Sequence, residues 1–173
     1  ASEGVTIGSG TVHGSVTYES SDEDVLTVDA DGTIHAVGAG TAHITVTWAG
    51  DATYCEKSAN SNDVTVSGIQ VTGTTPVNFG QVYQNAVVAA KTISVTGINL
   101  ASDITPSLPA GSPFSFSPVS LAANSSGATL TISASTATLG NYNQTLTLTS
   151  GAFSATVTIK MEVIAKPTAT FTD

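Results

Sequence analysis

Arginine is absent from this 173-residue chain, and its basic residues are four lysines, Lys57, Lys91, Lys160 and Lys166, against 13 acidic residues and a net charge of -9. Neutralising phosphates takes clustered cations, and these lysines stand singly, so nucleic acid is excluded as a partner. The acidic surplus reads as a solubilising surface. Cysteine occurs once, as Cys55, which cannot close a disulfide within the chain and assigns no redox compartment. It follows Tyr54 in a loop with Lys57 as its nearby cation, and a chemically idle, partly shielded thiol is expected. No run of 18 apolar residues exists to make a membrane-spanning helix. No segment repeats its apolar residues at helical period, so no helix is predicted. No signal peptide is recognisable and the chain begins at Ala1; a leader already removed by export, or excision from a longer protein, would account for both.

What is present is hydrophobic residue at 40%, enough to build cores, in a background of Thr, Ser, Ala, Val and Gly that favours strands and tight turns. The most informative stretch runs from Asp24 to Thr47. Leu26 and Val28 alternate with Thr27 and Asp29, the period of a half-buried strand. Asp29-Ala30-Asp31-Gly32 is a turn. With Gly32 at the positive-φ bulge position after a type I turn, residue 29 faces residue 33, Val28 opposes Ile34 and Leu26 opposes Ala36. All four then share one face, and a slip of one residue would turn them to water. Gly38-Ala39-Gly40 leads into a further strand with Ala42, Ile44, Val46 and Trp48 inward and Thr41, His43, Thr45 and Thr47 outward. Residues 49 to 61 read as a polar loop with Tyr54 folded back on the core, its hydroxyl at the rim.

Asn62 to Ser67 closes a first domain over residues 1–68, and Ile69 opens a second over 69–165 without a Pro- or Ser-rich linker, which predicts restricted interdomain motion. Residues 166–173, beginning Lys166-Pro167, read as a tail or linker to a further module. Residues 1–14 are Gly-rich, with Val5-Thr6-Ile7 the one apolar triplet. The first domain is therefore expected to be short of early strands, leaving an unpaired sheet edge to which a strand over Thr168–Thr172 could add. In the second domain, segments at Pro76–Gly80, Lys91–Leu100, Phe114–Leu121, Ala128–Ser133, Gln144–Thr149 and Phe153–Ile164, with Gly140-Asn141-Tyr142 as a turn signal, are spaced as in an antiparallel sandwich. The fold class predicted is all-β, two tandem immunoglobulin-like antiparallel β-sandwiches.

The candidate chemistry is thin. A hairpin through Gly38-Ala39-Gly40 would oppose His35 and His43, a possible beginning of a zinc site; an immunoglobulin-like topology puts their strands in different sheets, and no metal is expected between them. His13 lies in a terminus, and no Cys-x-x-Cys or His-x-x-x-His accompanies it. Asp22, Glu23, Asp24, Asp29 and Asp31 supply the hard oxygens calcium takes, but lack the spacing of an EF-hand loop, and turn chemistry accounts for Asp31-Gly32. No Gly-x-Ser-x-Gly elbow marks a nucleophile. Gly38-Ala39-Gly40 precedes a strand, leaving no helix N-terminus for a phosphate. Paired carboxylates for glycoside cleavage need a cleft that small filled sandwiches seldom offer. The sequons Asn124-Ser125-Ser126 and Asn143-Gln144-Thr145 read as coincidence in a Ser/Thr-rich chain. No catalytic, cofactor-binding or metal residues are assigned, no cofactor is expected, and the chain reads as non-enzymatic.

Val16-Thr-Tyr-x-Ser-Ser21, Val25 to Thr45 with its Val-Asp-x-Asp-Gly and Ala-Val-Gly-Ala-Gly-Thr-Ala core, and Ala49-Gly-Asp-Ala-Thr-Tyr54 together resemble the bacterial immunoglobulin-like (Big-type) repeats of surface and secreted proteins. Val77-Asn-Phe-Gly80, Lys91-Thr-Ile to Asn99-Leu100, Phe114-Ser-x-Ser-Pro118 and Gly140-Asn-Tyr to Thr149-Ser150 resemble ASH-like bacterial sandwich domains; Ser133 to Thr136 departs from that pattern, where such domains often carry a proline. These resemblances imply a non-catalytic module of a larger exported bacterial protein, at the cell surface or outside the cell, acting in adhesion or as a spacer. Its partners would be a surface protein or glycan and further domains of the same polypeptide. A carbohydrate-binding accessory module of a secreted glycan-processing enzyme is the alternative, and it requires an exposed aromatic platform.

Overall fold

The computed structural model describes residues 3–4 and 14–168, and every regular element among them is a strand. The expectations for Val5–Ile7, for His13 and, past Thr168, for the strand over Thr168–Thr172 fall outside the described residues. The chain divides into two compact units, Ala1–Gly68 and Ile69–Asp173.

The first unit holds β1 (Glu3–Gly4), β2 (Val16–Ser20), β3 (Leu26–Val28), β4 (Thr33–Ala36), β5 (Gly40–Ala42), β6 (Ile44–Trp48), β7 (Lys57–Asn60) and β8 (Val64–Val66). They form sheets ordered β1-β4-β3, β2-β6-β7 and β5-β8. The hairpin of β3 and β4 has the register expected from its turn: Leu26 faces Ala36, Thr27 faces His35 and Val28 faces Ile34. Gly32 has φ 86° and donates its N–H to the Asp29 carbonyl, while the Asp29 N–H reaches Thr33 O. The apolar face thins toward its end, because Ala36 is exposed.

The strand expected from Gly40 through Trp48 is divided at His43. Gly40, Thr41 and Ala42 pair with β8, whereas Ile44 to Trp48 pair with β2 and Thr45 to Trp48 also with β7. The inward phase survives the division: Ala42, Ile44 and Val46 are buried, with Trp48 packed against them, while Thr45 and Thr47 are half-buried. With Val25 and Leu26 these residues make the first core. A large aliphatic side chain contributes roughly 1.5–3 kcal/mol by full burial, so a core this small depends on each member. β7 lies in the segment expected to be loop, where all four residues are exposed and no apolar alternation marks the strand. Tyr54 also departs from expectation: it is 54% exposed and stands outside the core. The Asp51 carboxylate accepts the N–H groups of Thr53 and Tyr54, and the Asp51 N–H donates to the Tyr54 carbonyl. That tight turn carries the ring outward, and the inward rim aromatic is Tyr18, seated over Gly32.

The second unit begins within β9 (Gly68–Thr72) and continues with β10 (Val77–Tyr83), β11 (Lys91–Ile98), β12 (Thr105–Ser107), β13 (Phe114–Ser117), β14 (Ala128–Ala134), β15 (Gly140–Ser150) and β16 (Phe153–Ile164). Two four-stranded sheets, β10-β16-β15-β12 and β13-β14-β11-β9, enclose a core that includes Val77, Ile93, Leu130, Leu146 and Ile159. β15 and β16 stay in register from Gly140–Val163 to Ser150–Phe153, and a two-residue loop with Gly151 at φ 56° joins them, as such a tight hairpin requires. Leu146 and Leu148 point inward between the outward Thr145, Thr147 and Thr149.

One pairing corrects the antiparallel expectation: β10 runs parallel to β16. Between β9 and β10 the chain changes sheets instead of turning back as a hairpin, so nothing obliges β10 to oppose its new neighbour. Gly140-Asn141-Tyr142, expected as a turn, already forms the start of β15. β12 escaped the sequence reading because its Pro106 argues against a strand; it is an edge strand, where proline is tolerated.

Candidate functional site

Several titratable side chains of the first unit are engaged in local architecture. His35 on β4 meets Asp29 across the hairpin, Nε2 to Oδ2 at 2.8 Å, with both side chains at least half exposed. His43, at the break between β5 and β6, has its Nε2 3.3 Å from the Asn60 amide nitrogen and its Nδ1 3.7 Å from Asp63 Oδ1. The two imidazoles therefore engage different carboxylates, one in the β1-β4-β3 sheet and the other beside β2-β6-β7. Asn60 and Asp63 were not singled out from the sequence; their relation to His43 arises from β6–β7 pairing, which had no apolar signal.

The acidic stretch serves turns. Asp22 Oδ1 accepts the Asp24 N–H, and Ser20 Oγ donates to the Asp22 carbonyl. Asp31 Oδ1 accepts the Thr33 N–H at 3.0 Å, and that hydrogen bond to the ionised form holds the Asp31 carboxyl below the ordinary carboxylate value. Among the described residues no three His, Cys, Asp or Glu side chains converge as a metal-holding group. Cys55 is exposed rather than partly shielded, because it lies in the same outward-turned loop as Tyr54.

The glycines at 38 and 40 have a packing explanation. A Cβ on Gly38 would lie 2.6 Å from the Asp24 carbonyl oxygen, and one on Gly40 would lie 2.4 Å from a Val25 methyl. The Val37 N–H donates to the Val25 carbonyl beside them. Their smallness lets one segment pass against another.

The second unit carries open clefts. One of about 560 Å³ lies between the edge strands β12 and β13, lined by Pro106, Leu108, Phe114, Phe116 and Val119 among others. One of about 470 Å³ borders Val71, Pro76 and Thr156 to Thr158, and another of about 280 Å³ borders Val77 and Lys91. None of these three linings includes a carboxylate, imidazole or thiol, so they offer no acid–base pair. The exposed aromatics are dispersed. Phe153 opens β16, whereas Tyr83 pairs with Ile164 at the other end of it; at about 3.3 Å per residue the two ends lie roughly 36 Å apart. Phe79, Phe114 and Tyr142 do assemble, with centroids 5.8 Å and 6.5 Å apart, but Phe114 is buried and the group belongs to the core. Asn124 of the first sequon has its amide clasped to both backbone polar groups of Leu100.

Residues 2–56 match the family model of the bacterial Ig-like domain (group 2). The first unit thus carries a domain of that family. Among solved structures, the S-layer protein rSbsC is similar at 21% identity and TM-score 0.38, over 94% of this chain and 22% of that one. Domains 4 and 5 of SbsC align at 19% identity and TM-score 0.37, over 91% of this chain and 81% of that one. An endo-fucoidan hydrolase of glycoside hydrolase family 107 aligns at 13% identity and TM-score 0.40, over 89% of this chain and 24% of that one. The chain spans about a fifth of the length of the first of these structures. No curated protein matches it by sequence.

Proposed function

We propose that this chain is a non-catalytic pair of Ig-like modules from a larger exported bacterial protein, serving at the cell surface as a spacer. The observation that carries the reading is the bacterial Ig-like match over residues 2–56. Two features support it. Asp31 and His35 are taken up in a turn and in a contact across the β3–β4 hairpin. The exposed aromatics of the second unit, Phe153 and Tyr83, stand at opposite ends of one strand, which disfavours a glycan-stacking platform there and with it the accessory-module alternative.

The test is surface display with the chain placed between a membrane anchor and a reporter epitope. Deleting the chain should lower antibody access to the reporter, and an unrelated sandwich pair of equal length should restore it. Binding of displaying cells to glycan or protein-coated surfaces that is lost on deletion, and is not restored by the unrelated pair, would overturn the spacer reading in favour of adhesion.

A further inference from the structure

We propose that Ala86 to Ala90, between β10 and β11, is a processing site for an extracellular serine protease whose specificity pocket takes small aliphatic side chains; the inference is independent of the spacer reading. The segment reads Ala86-Val87-Val88-Ala89-Ala90 and carries no charge. Val87 is 101% exposed, Ala89 and Ala90 are exposed, and neither valine belongs to the core of the second unit.

What sets the segment apart is its backbone. The Ala86 N–H donates to the Tyr83 carbonyl, the Asn85 N–H to the Thr136 carbonyl, and the Thr136 hydroxyl to the Ala86 carbonyl at 2.7 Å. Past that tie, Val87 to Ala90 make no backbone hydrogen bond among the described residues before β11 begins at Lys91. A protease that binds its substrate as an added strand needs free backbone groups as well as an accessible side chain. The other exposed Val and Leu side chains among the described residues lack that freedom. Val37 and Gly38 both donate to the Val25 carbonyl, and Val119 lies two residues before Leu121, whose N–H and carbonyl both pair with Ile104. Leu139 sits between Thr138, whose carbonyl takes the Tyr142 hydroxyl, and Gly140, which opens β15.

The side chains select the class of enzyme. A small specificity pocket accepts Ala or Val, whereas one floored by a carboxylate accepts a cation. Lys57, Lys91 and Lys160 are paired within strands, with Trp48, Ile132 and Asn143, and Lys166 stands before Pro167. Trypsin-type enzymes therefore meet no comparable site among the described residues. In the cleavage step the protease serine attacks the Val87 carbonyl carbon, the Val87–Val88 amide bond breaks, and the Val88 nitrogen leaves as an amine after taking a proton. Water then hydrolyses the acyl-enzyme, which yields the Val87 carboxylate and restores the serine.

The cut leaves the unit assembled. The piece ending at Val87 carries β9 and β10, and the remainder carries β11 to β16. β10 keeps its place beside β16 and β9 beside β11, with Val77, Ile69 and Val71 still packed in the shared core. Pairing and packing alone then join the two pieces, so unfolding of the second unit releases residues 1–87, which the intact chain would retain.

The test incubates the purified chain, without denaturant, with pancreatic elastase and in parallel with trypsin, and reads the products by mass. Among residues 14–168, elastase is expected to cut first at a bond within Ala86–Ala90, and the nicked protein to elute as one species in size exclusion and as two in urea. Val87→Asp combined with Ala89→Asp changes two exposed positions and puts a carboxylate on one side of every bond in the segment. It is expected to slow the cut at least about tenfold, and Thr136→Val, which frees the Ala86 carbonyl, to hasten it about threefold by raising the open population. A first elastase cut elsewhere among residues 14–168, a trypsin cut there that is as fast, or an unchanged rate in the double Asp variant would overturn the proposal.

Discussion

The hydroxyl of Tyr142 donates to the carbonyl of Thr138, four residues upstream, at 3.1 Å. The ring also lies over Gly140 and meets the edge of Phe114. One side chain thus holds the loop before β15 against the sandwich, the arrangement known in immunoglobulin-like folds as a tyrosine corner. Replacing Tyr142 by Phe keeps the ring and removes the bond. The variant is expected to lose about 1 kcal/mol of stability, seen as an earlier midpoint in urea with an unchanged slope.

Gly97 carries a stronger constraint. A Cβ there would stand 1.8 Å from the Ala123 carbonyl oxygen, a backbone atom that no rotamer change can move. Gly97→Ala should force β11 away from the 121–125 segment and break the Gly97 N–H bond to Ser125 O. A loss of roughly 2–3 kcal/mol is expected, measured by thermal unfolding of the purified variant.

Ile44 tests how little the first unit has in reserve. It is 0% exposed in a core with five buried members, and truncation to Ala is expected to cost about 2–5 kcal/mol. Trp48, the single tryptophan, packs against that core, so its fluorescence reports the first unit alone. In Ile44→Ala the fluorescence transition should move to lower denaturant, and in Tyr142→Phe it should stay in place.

Asp31 gives a pH signature. Its folded pKa is depressed, chiefly by the Thr33 backbone N–H and then by the Thr33 side chain. The stabilisation is therefore present above the unfolded carboxylate value of about 3.9 and is lost as pH falls through the lower folded value. An NMR titration should place the Asp31 carboxyl midpoint below that of the same residue in the urea-unfolded chain. Asp31→Asn, which retains an acceptor for the Thr33 N–H, should keep the turn while removing its acid sensitivity.

Much of this was legible in the residues. The β3–β4 register followed from Gly32 and the apolar phase of Leu26, Val28 and Ile34, because turn geometry and alternation are local and agree with each other. The same logic found the inward phase of Ala42, Ile44 and Val46. It missed β7, whose exposed Lys57 to Asn60 have no apolar side to alternate. It placed Tyr54 in the core because an aromatic after a strand resembles a rim residue; the Asp51 turn that carries it outward depends on backbone directions. Of the side-chain contacts around the histidines, the meeting of His43 with Asn60 and Asp63 was not legible, because it rests on the β6–β7 pairing, which no apolar alternation marks.

By itself, then, the amino-acid sequence determined the all-β character, the register of the β3–β4 hairpin and the bacterial Ig-like pattern of the first unit, all consequences of side-chain alternation and turn residues within a few positions of one another. Tertiary structure alone decided which strands became neighbours over long distances: the division at His43, the meeting of His43 with Asn60 and Asp63, and the parallel run of β10 beside β16. Those pairings join residues up to 82 positions apart, as in Val77 with Ile159. They are chosen by which backbone groups and apolar faces remain unsatisfied once local hairpins have formed, a condition that no local pattern encodes.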